Sequence, residues 1–273
     1  MDFCEIKPTL RGDLGIFAIR PVPYGFRITC EAPIMTAIRE PGFVNIPDVY
    51  DQFLRMPQKE INGYLSLHAA QNKLDLILPG VNKNFPPELR EYIAKAVSIF
   101  ETNGFELGDS AECGVFLTAS RYNHACTPNA SQVWNGNIGR LTVHANKDIA
   151  VGEEITIPYM PLFAGRILRG LALNGWDFQC CCLACDPSMP NYEPSERRRQ
   201  QIYRLDQDLN FFIRRYSPRP PREVGPVSKS ILNDAGDLDP SSAIQALAQL
   251  LLLEGLVGHE LSKWYTLKIL HLC

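Results

Sequence analysis

One stretch of nine residues constrains the fold of this chain more than any other part of the sequence. Residues 121–129 read Arg-Tyr-Asn-His-Ala-Cys-Thr-Pro-Asn, which puts an amide, an imidazole and a thiol within four positions at Asn123, His124 and Cys126. Pro128 biases the residue before it away from helical backbone, so the stretch is expected to be extended or turned. Three different ligand-binding groups so close together indicate a functional site rather than a connecting loop.

Two later segments carry residues that suit such a site. Gly152 to Tyr159 is a turn with two glutamates, followed by a short predicted strand that ends in the tyrosine. Trp176 to Cys185 ends in four cysteines, which are four of the nine in the chain. Cysteines clustered in this way favour a metal site over the disulfide framework of a small secreted domain.

The spacing of these cysteines suits structural zinc, which takes four ligands in a tetrahedron. Cys180, Cys182 and Cys185 supply three thiolates that a tight turn can bring together, and the fourth must come from elsewhere in the chain. Cys181 leaves the register of the three open, because it makes a run of three consecutive cysteines.

Composition limits the class of protein. A chain of 273 residues that is 45% hydrophobic and 21% charged can bury a full core, as one large domain or one domain with an appendage. The net charge of −3 argues against direct binding to nucleic acid through phosphates. No apolar stretch approaches the ~20 residues that cross a bilayer, and the N-terminus lacks a signal-peptide pattern. We therefore expect no membrane association and a location in the cytoplasm, the nucleus or both.

Hydrophobic periodicity predicts several elements. Apolar residues recur at helical spacing from Leu89 to Phe100, between Pro86-Pro87 and Asn103-Gly104, and Asn135-Gly136 is a strong hairpin signal. The three arginines at 197–199 lie on a predicted charged helix, and we expect their side chains to form a solvent-exposed face of it. Further predictions are strands at 14–19, 27–31, 113–118 and 154–158, helices at 51–71 (broken at Pro57), 164–174, 193–216, 240–257 (capped by Asp239) and 259–273, and a proline-rich linker at 218–226.

Together these segments resemble the SET-domain methyltransferases. The shared motifs are Asn-His-x-Cys-x-Pro-Asn, Gly-Glu-Glu-Ile-Thr-x-x-Tyr and the post-SET Cys-x-Cys-x-x-Cys, in that order. A fourth part, residues 11–18, is similar to the opening Gly-x-Gly-hydrophobic-Phe-Ala turn, stretched here to Gly-x-x-Gly. The resemblance covers roughly residues 3–186. It is SMYD-like without the MYND zinc module, since no cysteine lies between Cys30 and Cys113.

The resemblance implies an α+β fold, a SET-domain β-clip of short strands with a pseudoknot. It also implies a SET domain at residues 1–159 with a helical insert at 33–110, a post-SET zinc-binding segment at 160–186 and a helical C-terminal extension at 187–273.

The resemblance also assigns roles to individual residues. Tyr159 is the expected catalytic residue, and S-adenosyl-L-methionine (SAM) and zinc are the expected cofactors. The cofactor-binding residues it implies are Gly15, Ile16, Phe17, Asn123, His124 and Phe178. The zinc ligands it implies are Cys126, Cys180, Cys182 and Cys185.

The implied activity is protein-lysine N-methylation, with the lysine side chain of a histone or non-histone protein as substrate. Holding a lysine of pKa ~10.4 neutral near pH 7 costs about 4 to 5 kcal/mol, so such an enzyme needs an apolar channel that disfavours the ammonium form. Two alternatives stay open at this point: a SET-fold enzyme acting on a small molecule, and a non-catalytic SET interaction module.

Overall fold

Short strands form three small sheets in the computed structural model, which describes residues 2–10, 12–39, 43–108, 110–216, 240–258 and 261–262. The strands are β1 Cys4–Pro8, β2 Leu14–Ala18, β3 Arg27–Glu31, β4 Met35–Ile38, β5 Phe105–Glu106, β6 Glu112–Val115, β7 Asn123–His124, β8 Ala130–Asn135, β9 Arg140–Ala145 and β10 Glu154–Ile157.

The first sheet brings the three sequence motifs of the N-terminal two-thirds side by side. Its strand order is β1-β2-β10-β7, with β10 antiparallel to β2 and parallel to β7. In the parallel pair, Thr156 lies opposite Asn123 and Ile157 opposite His124. The other two sheets have the orders β3-β9-β8 and β4-β6-β5.

The helices fall mainly in the insert and after Tyr159. They are α1 Ile46–Arg55, α2 Gln58–Leu65, α3 Gln71–Ile77, α4 Pro87–Asn103, α5 Arg166–Leu173, α6 Tyr192–Tyr216 and α7 Pro240–Leu253. In α4, Pro87 occupies the first turn, where its missing N–H is not needed. The buried residues of α4 include Ile93, Val97 and Phe100, as the periodicity predicts.

Several predicted elements are confirmed, and one helix was placed wrongly. The hairpin around Asn135-Gly136 is present as β8 and β9. The break predicted at Pro57 in the helical region from Asp51 to Gln71 is confirmed, since Pro57 separates α1 from α2. The outer bounds were wrong: α2 ends at Leu65, and α1 begins five residues before Asp51. Its start is set by Asn45, whose side chain accepts the backbone N–H of Asp48 at 3.2 Å. The linker at 218–226, the cap Asp239 and most of the helix at 259–273 lie outside the described residues.

The chain divides into two compact units. Unit 1 comprises Met1–Tyr159 and Leu171–Gln179, and unit 2 comprises Met160–Gly170 and Cys180–Cys273. Unit 1 has two hydrophobic clusters, one in the helical insert around Phe53 and Phe100 and one between the sheets around Ile16. Unit 2 has its own helical cluster, which includes Leu162, Ile202, Leu247 and Leu251. None of the helices described is both long enough and apolar enough to cross a membrane.

Asn129 joins residues 121–129, called the central stretch below, to β10 through its side chain. Its Oδ1 accepts the backbone N–H of Thr156 at 2.8 Å, and its Nδ2 donates to the carbonyl of Glu154 at 2.8 Å and to Glu153 Oε1 at 2.9 Å. The residue is only 3% exposed. Because water cannot replace these partners easily, the amide is expected to matter for stability.

We predict that Asn129→Ala lowers the free energy of unfolding by about 2 to 4 kcal/mol, because two partly buried backbone groups each lose a partner worth about 1 to 2 kcal/mol. The matched control is Asn135→Ala, whose side chain accepts one exposed turn hydrogen bond from Asn137. That control should change stability by about 0.5 kcal/mol or less. Chemical denaturation of both variants tests the difference, and equal losses would contradict the role given to Asn129.

Candidate functional site

Tyr159 is held at both ends by the central stretch. Its backbone N–H donates to His124 Nδ1 at 3.0 Å, and its hydroxyl donates to the carbonyl oxygen of Tyr122 at 2.7 Å. The parallel pairing of β7 with β10 places these partners next to the end of β10. The phenol is therefore fixed in direction, and the lone pairs of its oxygen are left available to accept a further hydrogen bond.

The hydrogen bond from Tyr159 also fixes the tautomer of His124. A backbone N–H can only donate, so Nδ1 carries no proton and the neutral ring has its proton on Nε2. That nitrogen lies 3.4 Å from Cys126 Sγ, and both side chains are buried. His124 thus links the tyrosine to the thiol that was predicted as a metal ligand.

The surroundings of Tyr159 keep its hydroxyl protonated. Burial raises the pKa of Tyr159 well above its usual value, and the carboxylates of Asp13 and Glu154 raise it further. A phenol with a raised pKa does not act as a base near neutral pH. The group can orient a partner but does not remove a proton.

Two aromatic rings from the segment after α5 stand against Tyr159. Trp176 lies 5.3 Å from the tyrosine ring, and Phe178 meets it edge-on at 6.2 Å and lies 6.3 Å from His124. Asp177 between them is in the left-handed region (φ 58°), which sets the turn that presents both rings. The structure thus brings the predicted Phe178 together with Tyr159 and His124.

The helical insert holds the Trp176 segment in place. Asn72 donates to the carbonyl of Asn174, and Lys73 Nζ lies 5.6 Å from the centre of the Trp176 ring. Lys73 also donates to the carbonyl of Glu101. Burial lowers the pKa of Lys73 to about 8, although the Glu101 carboxylate opposes this shift. The insert therefore contributes to the site although no motif in it pointed there.

Asn123 and Gly15 pack against each other beside Glu154. The side-chain Nδ2 of Asn123 donates to Glu154 Oε1 at 2.8 Å and to the carbonyl of Leu14 at 3.1 Å. A Cβ on residue 15 would lie 2.5 Å from that glutamate oxygen and 3.0 Å from Asn123 Nδ2. Only glycine leaves this pair undisturbed, so the motif glycine has a packing reason. With both amide hydrogens used, Asn123 presents its oxygen as an acceptor.

Two predicted cofactor contacts, Ile16 and Phe17, lie in the middle of the first sheet. β2 pairs with β1 on one side and β10 on the other at both positions. Ile16 is fully buried in the hydrophobic cluster, whereas the Phe17 ring is partly exposed below Lys7 Nζ at 4.5 Å. Their contact with a cofactor stays a prediction.

The four cysteines predicted as metal ligands are divided between the two units. Cys126 is fully buried in unit 1. In unit 2, the Sγ atoms of Cys180, Cys182 and Cys185 lie within 4.8 Å of one another. Zn–S bonds of ~2.3 Å in a tetrahedron place sulfurs about 3.8 Å apart, so this group fits a metal ion. Cys181 is exposed and lies outside the group.

Sequence reasoning missed three residues of the site, Trp176, Glu154 and Lys73. Trp176 had a signal, since it precedes Phe178 by two positions in a segment already singled out. Glu154 also had one, because it lies in the Gly-Glu-Glu turn before Tyr159. Lys73 had none, because its proximity to Trp176 depends on how the insert packs.

Known proteins match this chain in sequence. The family described as "SET domain" matches residues 13–160. The histone-lysine N-methyltransferase set5 of Schizosaccharomyces pombe is 27% identical over 209 residues, covering 75% of this chain and 57% of that protein. The SET domain-containing protein SmydA-8, isoform A, of Drosophila melanogaster is 33% identical over 124 residues, covering 40% and 26%. Human histone-lysine N-methyltransferase SMYD3 is 38% identical over 73 residues, covering 26% and 17%.

These matches differ in how much they cover. The chain spans 57% of the length of the Schizosaccharomyces relative and smaller shares of the other two. The family match begins just before β2 and takes in the helical insert, the central stretch and Tyr159. It runs over 148 of the 273 residues, more than half of them, and the chain therefore belongs to the SET-domain family.

Proposed function

We propose that this protein is a SAM-dependent protein-lysine N-methyltransferase. The observation that carries the proposal is Tyr159, whose hydroxyl donates to the Tyr122 carbonyl and whose ring stands against Trp176 and Phe178. Two of the relatives described above bear the name histone-lysine N-methyltransferase, which supports this reaction class. A protein with an accessible lysine is the proposed substrate, in the nucleus or the cytoplasm.

The residues near Asn123 fit the cofactor. When bound, SAM supplies a methyl carbon on a positively charged sulfur and also carries an ammonium group. The side-chain oxygen of Asn123 can accept a hydrogen bond, whereas the two hydrogens on its amide nitrogen are already donated to the Leu14 carbonyl and the Glu154 carboxylate. An acceptor of this kind suits an ammonium donor, and the carboxylate of Glu154 adds a nearby negative charge. Gly15, Ile16, Phe17, His124 and Phe178 remain proposed as further contacts.

Tyr159 is proposed to align the lysine amine rather than to activate it. Its proton is committed to the Tyr122 carbonyl, so its oxygen is free to accept an N–H from the amine. We propose that the partly buried rings of Trp176 and Phe178 shield the bound amine from water, which would disfavour the charged ammonium and lower the cost of a neutral nucleophile. Alignment of the nucleophile with the methyl carbon then supplies most of the rate enhancement.

A zinc ion is proposed for the cysteine group. Cys180, Cys182 and Cys185 lie close enough to share one ion, and three thiolates leave one tetrahedral position to fill. We propose Cys126 as the fourth ligand, because it is buried and its thiol lies beside a histidine ring nitrogen. A thiolate there would accept the Nε2 hydrogen of His124.

The test of the proposed function is methyl transfer from labelled SAM into a cell extract separated into proteins and small molecules. We expect label in protein, on lysine after digestion and identification of the modified residue. Label confined to the small-molecule fraction would favour a small-molecule enzyme. Absence of cofactor binding in calorimetry would favour a non-catalytic module.

We predict that Tyr159→Phe lowers the methyl-transfer rate constant about 100- to 1,000-fold, the usual loss when one preorganised polar contact of about 2.7 to 4 kcal/mol is removed. Cofactor affinity should change little, because the contact is made chiefly in the transition state. Single-turnover kinetics and calorimetry measure the two quantities.

The matched control is Tyr64→Phe in the helical insert. Tyr64 also donates its hydroxyl to a backbone carbonyl, that of Ala96, at 2.7 Å. Both variants should lose about 1 kcal/mol of stability from that hydrogen bond, but only Tyr159→Phe should lose rate. Near-normal turnover in Tyr159→Phe would rule out the aligning role.

We predict that Gly15→Ala weakens SAM binding about 5- to 150-fold, the loss of one hydrogen bond of about 1 to 3 kcal/mol. The added Cβ displaces Glu154 Oε1 and with it the hydrogen bond that orients Asn123. Gly170→Ala is the control, since its Cβ meets nothing within 4 Å. Calorimetric titration of both variants decides the question, and unchanged affinity in Gly15→Ala would remove Asn123 and Gly15 from the cofactor site.

We predict one zinc ion per chain, measured by elemental analysis of freshly purified protein. Cys182→Ala should lose most of the zinc, whereas Cys181→Ala should keep it, because Cys181 is exposed and outside the sulfur group. Chelation should destabilise the fold, since binding free energy of a structural metal is also folding free energy. A zinc content far below one per chain in the unaltered protein would refute this site.

A further inference from the structure

Unit 2 buries an arginine directly beside one of the sulfurs. Arg169, on α5, has a side chain with 0% exposure, and its guanidinium Nη2 lies 3.5 Å from Cys185 Sγ. The same nitrogen donates to the carbonyl of Ala184 at 3.2 Å, and Nη1 donates to the carbonyl of Ala164 at 2.7 Å. The guanidinium thus contacts the short turn that carries Cys185.

The charge of Arg169 needs compensation because a buried cation is costly. Glu196 on α6 provides one carboxylate, with Oε1 3.2 Å from Nη2. Its other oxygen accepts the backbone N–H of Arg166 at 2.7 Å, so this carboxylate also serves the start of α5. A deprotonated Cys185 would place a second negative charge within reach of the same guanidinium.

A zinc centre built from thiolates supplies that second charge. One Zn²⁺ with three or four thiolates carries a net charge of about −1 to −2, which is itself costly in a buried position. A hydrogen bond donated by a cationic side chain to a coordinating sulfur offsets part of that charge and fixes the direction of the ligand. Arg169 has the burial, the distance and the charge that this arrangement requires.

We propose that Arg169 is a positioning residue for the zinc centre. It donates a charge-assisted N–H···S hydrogen bond to the Cys185 thiolate, and through Ala184 it holds the turn at Leu183–Cys185, while Glu196 holds the guanidinium in register. The inference rests on the proposed zinc site and goes beyond it, because it assigns a residue outside the cysteine motif to metal affinity.

Arg199 provides a matched control within the same unit. Its side chain is also 0% exposed, and its partners include Glu254 Oε2 at 3.0 Å and the carbonyl of Leu162 at 3.0 Å. Replacing either arginine with glutamine therefore removes a buried, paired guanidinium from unit 2. The difference that the comparison uses is the contact of Arg169 Nη2 with Cys185 Sγ at 3.5 Å.

The experiment compares Arg169→Gln with Arg199→Gln in the full chain. Zinc affinity is measured by competition with a chromophoric chelator, and the metal centre is examined by the absorption spectrum of the Co²⁺-substituted protein. We expect Arg169→Gln to bind zinc about 10- to 100-fold more weakly and to shift the thiolate-to-cobalt band. Arg199→Gln should lower the unfolding temperature but leave zinc affinity and the cobalt spectrum unchanged.

Glu196→Gln tests the inference should Arg169→Gln fail to fold. It keeps the side-chain size and removes the carboxylate that holds the guanidinium, so we expect a smaller loss of zinc affinity in the same direction and a shifted cobalt band. Equal zinc affinities in the Arg169 and Arg199 variants with an unaltered cobalt spectrum would overturn the proposal while leaving the zinc site intact. An unaltered protein that takes up neither Zn²⁺ nor Co²⁺ would overturn both.

Discussion

The parallel pairing of β7 with β10 is the interaction on which the rest of unit 1 depends. It involves only two residue pairs, Thr156 with Asn123 and Ile157 with His124, and so short a ladder contributes little stability by itself. The side chain of Asn129 extends the pairing by bonding to the backbone of Glu154 and Thr156. The buried amide of Asn129 therefore supplies hydrogen bonds that additional paired residues would otherwise supply, and it keeps the central stretch against the strand that leads to Tyr159.

That pairing explains how the hydroxyl of Tyr159 is oriented by a neutral partner, the backbone carbonyl of Tyr122. Tyr122 and His124 come from the same stretch, and they bind the hydroxyl and the backbone N–H of Tyr159 respectively. Because two separate atoms of the residue are fixed, the ring has little freedom to rotate away from Trp176 and Phe178. Preorganisation of this kind lets polar contacts favour a transition state without reorganising at the moment of reaction.

The sequence predicted what depends on local pattern and missed what depends on packing. Pro86-Pro87 and the apolar spacing of α4 gave that helix almost residue for residue, and Asn135-Gly136 gave the hairpin. The linking role of Asn129 had no local signal, because its partners are 25 to 27 positions away. The start of α1 was missed because the cap at Asn45 was not recognised, although an asparagine two residues before a proline is a readable signal.

Arg197–Arg199 shows most clearly why a charge run cannot be read without packing. A solvated face was the expected reading, and Arg197 is indeed exposed, but Arg199 is fully buried and shares Glu254 with Arg198. Buried ion pairs contribute little net stability compared with apolar residues of similar volume, because desolvation offsets their attraction. The apolar cluster that includes residues of α6 and α7 therefore contributes more net stability to unit 2 than these ion pairs do, and the ion pairs fix which atoms face each other. Helix α6 supplies both Glu196 and Arg199. Through Glu196 it orients the guanidinium of Arg169 beside Cys185, and through Arg199 it binds Glu254, the residue that follows α7.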